Sequence, residues 1–211
     1  WLDATINSFQ IGAMASLCAT AMSLLAAMAL SRLTGRLQAA LLTLILSPMI
    51  VPAMVYAVAV YYYFASLGLI GTKLGVALAH AVLAMPPAIL LILTAFQNLD
   101  GDFDRAAASL GAGAIKRFVY VSFPLIRPAV LSAALLAFLT SFDEVVVALF
   151  LSGSRAVTLP KKMYESVRFD TDPTIIAASA VLVGITIAIL GICAVMQRDR
   201  TKVGTVAGRA N

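Results

Sequence analysis

Charged side chains are scarce in this sequence. Asp, Glu, Lys and Arg make up 12% of the 211 residues, whereas 62% are hydrophobic, and the mean hydropathy is +0.98. Soluble domains carry about 25% charged and about 45–50% apolar residues, so the composition excludes an ordinary water-soluble globular protein. It predicts a bundle of membrane-spanning helices, since lipid removes the need for a charged surface.

Residues that carry enzymatic chemistry or hold metal ions are equally rare. The chain has two cysteines, one histidine and one tryptophan. It contains no Ser/His/Asp set, no HExxH motif and no GxxxxGK[ST] loop that could cradle ATP. We therefore predict no catalytic residue, no metal site and no cofactor. The net charge of +5 is scattered near the ends of apolar runs rather than gathered in a stripe, which argues against nucleic-acid binding.

Five apolar runs are each long enough to cross a bilayer, which takes about 20 residues. We predict spans at residues 11–30, 39–64, 74–96, 128–151 and 174–196. None of the runs alternates polar and apolar residues as barrel strands do. The predicted fold is an all-α, polytopic transmembrane helix bundle in which residues 1–211 form one domain. Prolines 48, 52, 86 and 87 predict kinks in the second and third spans.

The charges between the spans predict the orientation. Ten basic residues fall on one side: Arg32, Arg36, Arg105, Lys116, Arg117, Arg127, Arg198, Arg200, Lys202 and Arg209. Five fall on the other: Lys73, Arg155, Lys161, Lys162 and Arg168. By the positive-inside rule, we expect loop 97–127 and the C-terminal tail in the cytoplasm, and Trp1 and loop 152–173 outside. Segments 1–9 and 159–167 are predicted as short helices in the outer interface.

The loop at residues 97–127 carries two helical patterns. Asp100, Asp102 and Asp104 suit the first turn of a helix, because the calcium-loop spacing fails at the positions that follow. Gly111 is a suitable residue to end that helix. A second pattern leads towards Pro124. A short helix of small residues that projects from a membrane protein is typical of a docking loop.

This loop resembles the EAA loop of binding-protein-dependent ABC importer permeases. The residues that match in identity and spacing are Ala106, Ala107, Leu110, Gly111, Ala112 and Pro124. Arg105 stands where the family has glutamate, and Phe123 replaces the usual leucine. The stretches at residues 141–153 and 158–174 resemble the spermidine/putrescine branch of the family.

The resemblance implies a type I ABC importer permease in the bacterial inner membrane. The implied partners are a cytoplasmic ATPase dimer, a second permease subunit (identical or a paralogue), an external substrate-binding protein and membrane lipid. We expect the family's first helix to precede Trp1. The residues that the resemblance assigns to ATPase coupling are Asp104, Arg105, Ala106, Ala107, Leu110, Gly111 and Ala112. The cargo stays open between polyamines, opine-like compounds and amino-phosphonates.

Two adjacent carboxylates interrupt the fourth apolar run. Charged groups within a span are costly and mark functional sites, so we predict that Asp143 and Glu144, with Ser141 and Phe142, belong to the substrate pathway. One carboxylate would attract a cationic solute, while the other would pair with protein groups. The alternative is that both are structural, as helix caps or partners of neighbouring helices.

Three other functions are compatible with a membrane-spanning chain. An ion-coupled secondary transporter could use Asp143 and Glu144 as coupling sites, but the paired repeats common in such proteins are missing from the sequence. An intramembrane enzyme lacks its catalytic set. A structural anchor would explain the spans but not the docking loop.

Overall fold

The computed structural model describes residues 1–169, 177, 179–180, 183–188 and 191. Every regular element in this part of the chain is helical, as predicted. The helices are α1 (Leu2–Leu30), α2 (Gly35–Leu46), α3 (Ala53–Ser66), α4 (Lys73–Gln97), α5 (Gly101–Ser109), α6 (Ala114–Arg117), α7 (Phe123–Phe142), α8 (Val146–Leu151) and α9 (Leu159–Phe169). The predicted fifth span, 174–196, lies largely outside the described residues.

The core is built from α1, α4 and α7, and small residues let these helices approach closely. Alanines on all three helices are buried, and Gly12 of α1 faces the ring of Phe138 on α7. The hydroxyl of Ser16 donates to the Ala134 carbonyl at 2.6 Å. Such small-residue contacts and interhelical hydrogen bonds hold helices together where lipid supplies little hydrophobic drive. The three helices therefore form the scaffold that positions everything else.

The second predicted span is one crossing made of two helices. A 3₁₀ turn at Ser47–Met49 separates α2 from α3, and the two helix axes meet at 92°. Pro48 and Pro52 lie in the break, where each removes a backbone donor. The effect is larger than the predicted kink. By contrast, α4 continues through Pro86 and Pro87.

Contacts at both ends show that α2 and α3 cross the bundle rather than re-enter it. Gln38, early in α2, donates to the carbonyl of Leu30 at the end of α1. A six-residue connection joins α3 to α4, and Lys73 at the start of α4 bonds to Gln10 at 2.6 Å, near the start of α1. The described residues therefore contain four crossings: α1, α2–α3, α4 and α6–α7.

The fourth span differs from the prediction at both ends. The helix begins at Ala114 and runs to Phe142, because α6 joins α7 through a π-helical turn at Phe118–Ser122. In this turn the amide of Phe123 bonds to the Phe118 carbonyl, directly before Pro124, which has no amide hydrogen to give. Wide turns of this kind commonly accommodate such a disruption. The helix stops at Phe142, and residues 143–145 separate it from α8.

The outer segments were predicted correctly in one case only. Residues 159–169 form the short helix α9, as the sequence indicated. Residues 2–9 are the first turns of α1 and not a separate interfacial helix. Asn7 explains part of the difference, because its side chain is buried and donates to the Val157 carbonyl at 3.1 Å. This bond packs the start of α1 against the loop before α9.

The bundle has two distinct ends, which allows a direct test of orientation. Trp1 lies at the end that contains α9, whereas Gly113 lies at the end that contains α5 and Arg32. We expect a cysteine placed at Gly113 to react with a membrane-impermeant maleimide only after the cell is opened. A cysteine at Ser154 is the matched control and should react in intact spheroplasts. Labelling of the Gly113 position from outside would reverse the orientation.

Candidate translocation path and coupling surface

Capping hydrogen bonds close both ends of the short helix α5. The carboxylate of Asp100 caps its start by accepting from the amide of Asp102 at 2.9 Å. At its end, the amide of Ala112 bonds to the Ala107 carbonyl at 3.1 Å. The amide of Gly111 bonds to the Ala108 carbonyl at 3.0 Å. This is the Schellman arrangement, and it places Gly111 at φ +81°.

An ion pair fixes α5 against the next helix. Arg117 Nη1 donates to Asp104 Oδ2 at 3.0 Å, and both side chains are partly shielded from solvent. Arg105, at the family's glutamate position, is exposed and lies 3.7 Å from Asp102. An exposed pair of that kind contributes roughly 0–1 kcal/mol. The acidic residue that organises this segment is therefore Asp104, one residue before the family position.

Large apolar side chains project from the same segment. Leu110 is 88% exposed and Ile115 is 81% exposed, and Phe103 and Tyr120 are also exposed. Exposed apolar patches mark interaction sites, so these residues are candidates for contact with a partner. Of the residues predicted for coupling, Leu110 belongs to this group. Ala106 and Gly111 are exposed beside it, while Asp104, Ala107 and Ala112 are half-buried. Neither Phe103 nor Tyr120 was predicted. Phe103 lies seven residues before Leu110, a helical spacing that could have indicated it, whereas Tyr120 lies in the π-helical turn.

The two carboxylates of the predicted pathway occupy the break after α7 and have different environments. Glu144 is half-buried, and its Oε1 accepts from the amide of Val147 at 3.1 Å, so it caps the first turn of α8. Asp143 is exposed, and within the described part of the chain its carboxylate has no hydrogen-bond or ion-pair partner. Glu144 therefore serves as a helix cap, whereas the carboxylate of Asp143 has no partner among the described residues.

Ser141 and Phe142 face the protein interior. Ser141 Oγ lies 2.8 Å from Nδ1 of His80, and both side chains are buried. Phe142 packs against Phe9 and Phe138, with ring centroids 5.3 Å and 5.5 Å away. In this conformation both side chains are buried among protein atoms and neither can contact a solute. They instead fix the end of α7 from which Asp143 projects.

A buried lysine lies at the end of the bundle that contains α9, and the sequence did not indicate its burial. Lys161 Nζ donates to Ser152 Oγ at 2.8 Å and to the Gly153 carbonyl at 3.2 Å. Glu165 lies 3.8 Å from the same nitrogen. These contacts tie α9 to the end of α8, close to the break that holds Asp143. No sequence signal marked this residue, because Lys161-Lys162 reads as an ordinary charged surface pair.

Comparisons with known proteins agree with this geometry. Residues 19–200 match the family described as binding-protein-dependent transport system inner membrane component. The chain belongs to that family. The match takes in the C-terminal part of α1 and everything from α2 to α9, and it confirms an inner-membrane subunit of an ABC importer. Hydrolysis of ATP belongs to a separate subunit.

The individual relatives are named for different transported solutes. The putrescine transport system permease PotI of Escherichia coli is 32% identical over 195 residues, covering 89% of this chain and 69% of the relative. The molybdenum transport system permease ModB of Mycobacterium tuberculosis is 32% identical over 194 residues, covering 85% and 72%. The spermidine/putrescine permease PotC of Haemophilus influenzae is 28% identical over 197 residues, covering 93% and 77%.

Proposed function

We propose that this permease subunit forms the path for a small cationic, polyamine-like solute. The observation that carries the proposal is Asp143, an exposed carboxylate at a helix break that has no partner among the residues that the structure describes. An unpaired carboxylate attracts cations and repels oxyanions, so this feature favours the chemistry of the putrescine permease relative over that of the molybdenum permease relative.

The complex would contain the partners that the family description implies. An external binding protein delivers the solute, and a cytoplasmic ATPase dimer drives the exchange between outward-open and inward-open states. A nucleotide shifts such an equilibrium only if the two states bind it differently. The exposed apolar residues of α5 and α6 supply a surface on which the ATPase could act, and a second permease subunit would complete the path.

Co-purification followed by transport tests both parts of the proposal. We expect the tagged subunit to bring down an ATPase and a second permease subunit, and proteoliposomes of that complex with its binding protein to import radiolabelled putrescine. Excess spermidine should inhibit this uptake, whereas molybdate and a neutral sugar should not. Uptake of molybdate but not putrescine would reject the cationic cargo, and absence of an ATPase would reject the importer.

A further inference from the structure

A cavity of about 340 Å³ lies at the end of the bundle that carries the coupling segment. Its wall combines the end of α1, the end of α4 and the segment from α5 to the π-helical turn. The polar residues that line it are Ser31, Arg32, Asp104, Arg117 and Ser122. Two guanidinium groups and one carboxylate leave it with an excess of one positive charge.

The donors of this cavity are not satisfied by the residues that the structure describes. Arg117 gives Nη1 to Asp104 at 3.0 Å, but its Nε is buried without an acceptor. A buried donor without a partner is costly, so a shift of this guanidinium that lets it bond to an acceptor in the cavity is favourable. Arg32 forms no ion pair within the described ranges, and the Ser122 hydroxyl bonds to none of their atoms. The Ser31 hydroxyl donates to the Met28 carbonyl and can only accept.

The chemistry that fits these donors is an oxyanion with several acceptor atoms. Arginine binds phosphate through parallel hydrogen bonds, with a geometry that carboxylate and phosphate share. The depth points to a lipid source, because Arg32 lies two residues beyond Leu30, where α1 ends. Basic pockets between spans on the cytoplasmic side are suited to lipid head groups. Met28 and Phe96, which also line the cavity, offer an apolar wall beside the charge.

We propose that this cavity binds the phosphate group of an anionic phospholipid from the cytoplasmic leaflet. The bound phosphate accepts from the Arg117 guanidinium and from Arg32, and so joins the end of α1 to the start of the α6–α7 crossing. Arg117 at the same time holds Asp104 of α5. The lipid therefore stabilises the position of α5 relative to the spans. It follows that the lipid composition of the membrane affects how α5 transmits movement from the ATPase.

Lipid binding to the purified, assembled transporter tests the site without any need for substrate or transport. Dioleoyl phosphatidylglycerol is titrated into the detergent-solubilised complex, and bound lipid is counted by native mass spectrometry. The variant is Arg32→Gln, because Arg117 also holds α5. The matched control is Arg36→Gln, which removes the same charge four residues later. Arg36 is exposed like Arg32, but it lies at the start of α2 and does not line the cavity.

We expect Arg32→Gln to weaken phosphatidylglycerol binding at least tenfold, the factor that corresponds to about 1.5 kcal/mol for a hydrogen bond to a charged group. Arg36→Gln should bind like the unchanged complex, and phosphatidylcholine should not compete. Equal losses in both variants would overturn the proposal, since they indicate general surface charge. Displacement of the lipid by inorganic phosphate at equal concentration would keep the phosphate chemistry but overturn the lipid assignment.

Discussion

Gly111→Val is expected to leave the subunit inserted in the membrane but to separate it from its ATPase. Gly111 adopts φ +81°, a conformation that costs other residues about 1–2 kcal/mol and is most unfavourable for a β-branched side chain. A Cβ at this position would meet no atom within 4 Å. The expected defect therefore comes from the backbone: the Schellman end of α5 opens and the exposed Leu110 moves.

Two further variants separate this mechanism from a general effect of size. Gly113→Val adds the same side chain two residues later, where φ is −65° and space is open, so it should behave like the unchanged protein. Gly111→Asn should be intermediate, because asparagine tolerates the left-handed region. The measurements are the ratio of ATPase to permease after purification and the rate of uptake.

A conformational cost of about 1.4 kcal/mol corresponds to a tenfold change in an equilibrium, so we expect Gly111→Val to lose roughly tenfold in ATPase association. Normal assembly and uptake in that variant would mean that Gly111 only stops a helix on a solvated loop. Equal defects in Gly111→Val and Gly113→Val would assign the effect to added bulk at the interface.

The sequence predicted the crossings well and their ends poorly. A crossing depends on apolar composition over about 20 residues, which one sequence displays directly. Where a helix ends depends on local bonds that composition does not encode, such as the cap that Glu144 forms on α8. For the same reason the sequence predicted an interfacial helix at residues 2–9. These residues are the start of α1, and the bond from Asn7 to Val157 holds them against the loop before α9.

The same difference holds for the candidate sites: local features can be predicted from the sequence, and long-range contacts cannot. Gly111 was predicted to end a helix, and its positive φ at the end of α5 agrees with that prediction. The sequence can predict the end of a helix because the residues that form it are neighbours in the chain. The pair Asp104–Arg117 and the pair His80–Ser141 join residues 13 and 61 positions apart. No periodicity connects such residues, so only the folded chain reveals them.

Asp143→Asn is expected to reduce uptake of a cationic solute about tenfold, mainly through a higher KM. A hydrogen bond to a charged group contributes roughly 1.5–3 kcal/mol, and Asp143 is free to give this interaction because no described residue competes for its carboxylate. Glu144→Gln should have little effect, since glutamine retains an oxygen that can accept from the Val147 amide. The adjacent residue is therefore the matched control.

The double variant Asp143→Asn with Glu144→Gln should transport no worse than Asp143→Asn alone if only one carboxylate faces the path. Stimulation of ATP hydrolysis by the loaded binding protein is measured in parallel, because preserved stimulation with lost uptake places the defect in the path and not in docking. Unchanged kinetics in the double variant would remove both carboxylates from the path. An equal loss with Glu144→Gln would mean that transport requires the negative charge of Glu144 as well, because glutamine keeps the cap on α8.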